Sequence, residues 1–138
     1  PVVVPAGLGV KHQSVSHSEL RRLYGHAAVV AVGLKPNLHI SGATAVLEAM
    51  ACERPVVVTA TPGYDDYVAH GETGFLVPPG DEEAFAAAVR ELLEDPERAR
   101  EMGQAGRKAI EERFSSERTM AKLGHILGSA LRGGSSIC

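Results

Sequence analysis

The stretch SGATAVLEAMACERPVVVT, residues 41–59, decides the fold. It opens on a Ser-Gly pair, continues through an apolar segment carrying a single acid, Glu48, and passes through Glu53, Arg54 and Pro55 into three consecutive valines and a threonine. Val46, Leu47, Met50 and Ala51, with Ala43 one turn earlier, recur at helical offsets. Ser41, Thr44 and Glu48 line up on another face, because residues three, four and seven apart stack along a helix. Residues 55–59 do not alternate, the pattern of a strand covered on both faces. The stretch therefore predicts a helix feeding a buried strand.

The same grammar repeats on either side. Residues 28–32, AVVAV, predict a second buried strand, and residues 2–4 and 10–12 read as shorter ones. Ser16-His17-Ser18-Glu19 matches a capping box, in which hydroxyl and carboxylate satisfy orphan amides at a helix start. The helix it opens runs through Tyr24, with Leu20, Leu23, Tyr24 and Ala27 on its apolar face. Residues 33–39 form a loop at the carboxyl end of a strand, where open α/β sheets bind ligands. Downstream, a short helix over residues 64–69 and a strand over 74–77 are predicted. Asp81 then caps a helix patterned by Ala84, Phe85, Ala88, Val89, Leu92 and Leu93, and Asp95-Pro96 starts another. Gly103 and Gly106 weaken that one and predict a break or an overlap there, and Ser115 or Ser116 caps a last helix. The alternation predicts an α/β fold, a Rossmann-like parallel sheet with helices on both faces. The strands are too few for a whole doubly wound domain.

Composition narrows the function classes. The 138 residues suit one domain, and 44% hydrophobic and 22% charged residues suit a soluble globular chain. No apolar run approaches the roughly 20 residues of a membrane span. A net charge of −3 without a basic stripe argues against nucleic acid. Cys52 and Cys138 form no disulfide framework, which with the absence of a leader pattern predicts a cytoplasmic location. His12, His17, His26, His70 and His125 show no ligand spacing, so no metal site is assigned. Pro1 runs straight into Val2, Val3 and Val4, and the expectation is a piece of a longer protein.

The central helix also carries chemistry. Its start presents free backbone amides and the positive end of the dipole, which together bind phosphate. Gly42 lets a ligand approach closely, and Glu48, two turns on, can accept hydrogen bonds from the vicinal hydroxyls of a ribose. The spacing also fits a plain cap at Ser41 and a solvated acid at Glu48. Asp65, Asp66 and Glu72 read as surface turns.

LEAMA, PVVVT, PG and HGETGFLVPPGD, with the flanking SHSELRRLYGHAAVVAVGLKPN and EAFAAAVRELLEDPERAREMGQAGRKAIEERFS, resemble the nucleotide-binding C-terminal domain of GT-B glycosyltransferases of the retaining glycosyl-4 type. The likeness covers residues 10–131. It implies transfer of a sugar from a nucleoside diphosphate sugar to an acceptor hydroxyl, with no metal and no further cofactor. The fragment would supply part of the donor site, incomplete at its N-terminal side. By this resemblance, residues 1–115 are a partial nucleotide-sugar-binding domain, residues 116–131 a helix that packs on an absent N-terminal acceptor domain, and residues 132–138 a flexible tail. Deprived of that domain, the apolar face of Met120, Leu123, Ile126, Leu127 and Ala130 is expected to self-associate or fray.

In the resembled enzymes two Glu residues, separated by seven others, flank the helix start, the second on the ribose and the first near the transferred sugar. Glu48 matches the second. Position 40 holds Ile40 instead of the first, and with one extra loop residue His39 occupies that space, making it the candidate catalytic residue. Amides of Ser41, Gly42, Ala43 and Thr44, with Lys35 as the nearby cation, complete the candidate donor-binding set. Ala28 replaces an Asp and Glu53 a Gly of the family pattern. Glu53 is thus expected in a left-handed conformation, at roughly 1–2 kcal/mol of strain. Two other readings stay open: a truncated or degenerate nucleotide-binding module, and an α/β interaction scaffold.

Overall fold

A computed structural model describes residues 16–35, 40, 42–114, 117, 120, 121 and 123–125. In chain order the elements are α1 (His17–His26), β1 (Val30–Val32), α2 (Ala43–Ala51), β2 (Val56–Thr59), a 3-10 turn (Tyr64–Asp66), β3 (Phe75–Val77), α3 (Glu82–Glu94) and α4 (Pro96–Arg113). The strands form a parallel sheet in the order β1-β2-β3, with Val30 beside Val56 and Val57 beside Phe75. All four residues of β2 are buried. Val56 and Val58 join Val46, Ala49 and Met50 of α2 and Tyr64 and Val68 in one cluster. Val57 faces the opposite way, into a cluster with Phe75, Val77, Leu92, Ala99 and Met102. Helices thus cover both faces, as the valine run requires.

Capping chemistry fixes the helix starts. Ser16 caps α1 and exchanges bonds with Glu19, whose carboxylate accepts from the Ser16 amide at 3.0 Å and from its hydroxyl at 2.8 Å. Asp81 Oδ1 accepts from the Ala84 amide at 2.9 Å, and Asp95 Oδ1 from the Arg98 amide at 3.0 Å. Asp95 ends α3 and begins α4 at once.

Several expectations are corrected. Helix α2 begins at Ala43, with Gly42 as its N-cap at φ 74°, one residue later than the Ser-Gly start suggests. Its core face carries Val46, Ala49 and Met50, while Leu47 is half-buried and Ala51 exposed. The stripe is rotated because α4 packs beside α2 as well as the sheet lying beneath it. Leu23 and Leu93, assigned to apolar faces, are 54% and 55% exposed. The helix expected over 64–69 is only a 3-10 turn. The Ala69 amide donates to Thr73 Oγ1 at 2.9 Å, which removes it from any continuing ladder. The predicted strands at 2–4 and 10–12 lie outside the described residues, as do Ser115 and Ser116. Of the last predicted helix, Glu117, Met120, Ala121, Leu123, Gly124 and His125 are described, all exposed and in helical conformation.

The predicted break at Gly103 and Gly106 is also corrected, since α4 runs unbroken past both, and both are buried. They are contact points. A Cβ on Gly103 would collide with the Glu53 carbonyl oxygen, and one on Gly106 would lie 3.5 Å from Met50. The carbonyl belongs to the turn that ends α2, where the Glu53 amide donates to Met50 O at 3.0 Å and the Arg54 amide to Ala49 O at 2.9 Å. That pair of bonds is a Schellman motif. Its left-handed residue is Glu53 at φ 58°, as the family pattern led us to expect.

Three outcomes follow from this packing. Gly103→Ala should lower stability by roughly 1–3 kcal/mol despite alanine's better helix propensity, because backbone must move to admit the methyl group. Glu53→Gly should raise stability by about 1 kcal/mol by relieving the left-handed strain. It gives up only a half-exposed pairing with Arg107 at 3.8 Å. Chemical denaturation reads both. The bonds from the Ser16 amide and hydroxyl hold the Glu19 carboxyl below its ordinary range. The cap is therefore complete above the usual carboxylate pKa and is lost as pH falls through the lowered value. Amide exchange in the first turn of α1, corrected for intrinsic rates, should accelerate over that acid window and lose the pH dependence in Glu19→Gln.

Candidate functional site

Four α-helix starts are described, and three are closed by their own side chains. Ser16, Asp81 and Asp95 each accept from an amide of the first turn, and each of those turns also carries an acid. Helix α2 has a glycine cap, no side-chain cap bond and no acid in its first turn. Among the described residues no side chain caps its positive end. This end sits at the carboxyl edge of the sheet. A Cβ on Gly42 would lie 3.0 Å from Val32 Cγ1, 3.5 Å from Tyr64 Oη and 3.8 Å from Leu34 Cδ2, so only glycine combines that approach with φ 74°. Beside it the Leu34 amide donates to Thr59 Oγ1 at 3.0 Å, joining the ends of β1 and β2. Thr61, two residues on, is buried with no partner for its hydroxyl among the described residues.

Glu48 lies on the same helix, six residues past Gly42 and hence about 9 Å along its axis. It is half-buried and lines a cleft of about 290 Å³ between α1 and α2, walled by His17, Leu20, Arg21, Tyr24, Ala51 and Cys52. Tyr24 Oη donates to Glu48 Oε2 at 3.2 Å. Burial, and then the Glu48 charge beside it, push the Tyr24 phenol up from 10.0 to about 12, so it stays protonated as a donor. Burial raises Tyr64 as well.

The structure brings some of the sequence candidates together and separates others. Gly42, Ala43, Thr44 and Glu48 share α2, with Gly42 and Thr44 exposed. Lys35 is exposed and lines a different hollow of about 330 Å³, formed with Gly33, Leu34, Thr59, Asp81, Glu82 and Phe85. Ile40 is 38% exposed, and its Cδ1 would lie 2.7 Å from a Cβ placed on Gly63, so the side chain rests on that glycine. His39 and Ser41 lie outside the described residues. Asp65, Asp66 and Glu72 are exposed. Among the described residues no cluster of His, Cys, Asp and Glu has metal-site geometry, and no helix is long and apolar enough to cross a membrane.

Tyr24 is the residue that sequence reasoning placed only in a core face. The available signal was chemical: a tyrosine at a half-buried position must find a partner for its hydroxyl, where a phenylalanine would not.

Comparison with known proteins agrees with the fold. Residues 10–109 match the family model described as glycosyl transferases group 1. The putative glycosyltransferase EpsD of Bacillus subtilis is 42% identical over 81 residues, 59% of this chain and 21% of that protein. The sucrose-phosphate synthase of Thermosynechococcus elongatus superposes with a TM-score of 0.75 at 32% identity, over 87% of this chain and 29% of that one. Anabaena HepE, solved in complex with UDP and glucose, superposes with a TM-score of 0.71 at 25% identity, over 81% of this chain and 30% of that one. The chain spans about a fifth of the length of the curated relatives it matches first. With its parallel α/β layers and the match of its family model over residues 10–109, this chain belongs to the group 1 glycosyl transferases, a GT-B family.

Proposed function

We propose that this chain is part of a retaining glycosyltransferase, of hexosyltransferase type and cytoplasmic, which moves a sugar from a nucleoside diphosphate sugar to an acceptor hydroxyl. The chain supplies part of the donor site. The observation that carries the reading is the pairing, on one helix, of an uncapped N-terminus with a carboxylate held two turns away. Amides of Ser41, Gly42, Ala43 and Thr44 meet the diphosphate, where the helix dipole offsets charge that builds on the leaving group. Glu48 accepts from the ribose hydroxyls about 9 Å along the axis. No metal or further cofactor is required by this arrangement. By the family resemblance, His39, which lies outside the described residues, would serve the transferred sugar, and Lys35 would add a cation to the donor site. The structural neighbour HepE, solved with UDP and glucose, supports a nucleoside diphosphate as the ligand class.

A second reading, a module that binds nucleotide without turning it over, is favoured for these 138 residues alone by Ile40. An aliphatic side chain resting on Gly63 offers neither a hydrogen-bond acceptor nor a charge to an oxocarbenium-like transition state. The acceptor domain that would complete the enzyme lies upstream in this proposal, and the exposed Met120 and Leu123 belong to the helix that would meet it.

Calorimetric titration of the chain with UDP, GDP and ADP tests the binding reading. One of the three should bind, and Glu48→Gln should weaken it roughly ten- to hundredfold, since a bond to a charged group contributes roughly 1.5–3 kcal/mol. Absence of binding to all three by a folded chain would overturn it. Transfer activity in the protein carrying its upstream residues, and its absence in the 138-residue chain, would separate enzyme from binding module.

A further inference from the structure

We infer that Tyr24 is a positioning residue for the donor site: its hydroxyl, on α1, fixes the carboxylate of Glu48, on α2, for the ribose. This rests on the proposed role of Glu48.

A glutamate on a helix surface has three rotatable bonds, and a ligand that requires one arrangement must bear the cost of freezing the others. Here the freezing is done beforehand. Tyr24 Oη donates to Glu48 Oε2 at 3.2 Å, across 24 residues of sequence, and leaves Oε1 with its lone pairs for a ligand. The tyrosine is itself held. Its ring packs on the cluster formed by Val46, Met50, Val56 and Tyr64. The α1 end is tied down where the Ala27 amide donates to Leu23 O at 3.0 Å and Arg54 Nη1 donates to Ala27 O at 3.3 Å.

The choice of donor also matters. Arg21 lines the same cleft, yet the hydrogen-bond donor to Glu48 is a neutral phenol. A guanidinium there would neutralise the carboxylate and occupy both oxygens. A phenol orients it and leaves the charge, which strengthens bonds from sugar hydroxyls. The apolar walls from Leu20, Ala51 and the Tyr24 ring reduce competition from water for those bonds.

The alternative is that the bond only satisfies a half-buried phenol, and the two roles separate by what they move. Ribose discrimination is the ratio of the Kd for 2′,3′-dideoxy-UDP to that for UDP, measured by calorimetry on the 138-residue chain. Both ligands carry the same base and diphosphate. Tyr24→Phe keeps the ring and its packing, and folding is verified by thermal unfolding. If Tyr24 positions Glu48, the variant loses about three- to tenfold in affinity for UDP and nothing for the dideoxy compound, so the ratio collapses toward that of Glu48→Gln. An unchanged ratio in Tyr24→Phe beside a collapsed one in Glu48→Gln overturns the positioning role and leaves the ribose role standing. Equal ratios in wild type and both variants overturn the ribose role, and the positioning role with it. Failure of the folded wild-type chain to bind UDP, GDP or ADP overturns both for this chain, and where GDP or ADP is the one that binds, the ratio is read with that diphosphate and its own 2′,3′-dideoxy analogue.

Discussion

The burial of β2 on both faces is the constraint on which the rest of the structure depends. Val56, Val57 and Val58 have no solvent exposure, and each contributes roughly 1.5–3 kcal/mol relative to an exposed side chain. Their alternation sends Val56 and Val58 toward α2 and Val57 toward α3 and α4. A strand that must be dry on both sides needs a helical layer on each. It thereby fixes where α2 lies and brings its N-terminus to the carboxyl edge of the sheet.

The position of α2 along its own axis is set at the other end. Its last turn closes around Glu53 in a Schellman motif, and the carbonyl of that turn presses on Gly103 of α4. No side chain separates the two backbones. With its C-terminus clamped there and Gly42 packed against Val32 and Leu34, the helix has little freedom to slide. A group carried on it, such as Glu48, inherits that rigidity. Tyr24 adds the lateral restraint from α1, so the carboxylate is located by the sheet, by α4 and by α1 together.

Much of this was legible in the sequence because it is local. The capping signatures at Ser16, Asp81 and Asp95 name their own partners within three residues, and the unbroken valines of β2 announce double burial. Glu53 could be expected at positive φ because it stands directly after a helix where the family pattern has glycine. What escaped the sequence depends on pairs that are remote in the chain. Gly103 and Gly106 read as helix breakers by propensity, whereas the structure uses their missing side chains to let α4 approach α2. Helical spacing alone does not show that α4 as well as the sheet lies against α2, and so it does not distinguish buried Ala49 from exposed Ala51. The bond from Tyr24 to Glu48 spans two elements whose juxtaposition no spacing rule supplies. Lys35 was grouped with the α2 site by nearness in sequence, and its hollow proves to be shared with the acids that open α3.

The central claim, that the start of α2 and Glu48 form one ligand site, is tested most directly by mapping the amide chemical-shift changes of the labelled chain on titration with UDP. The account predicts the largest changes at Gly42, Ala43 and Thr44, with a second group at Glu48 and Tyr24. Changes centred instead on Lys35, Asp81 and Glu82, or spread without a focus over the surface, would contradict it.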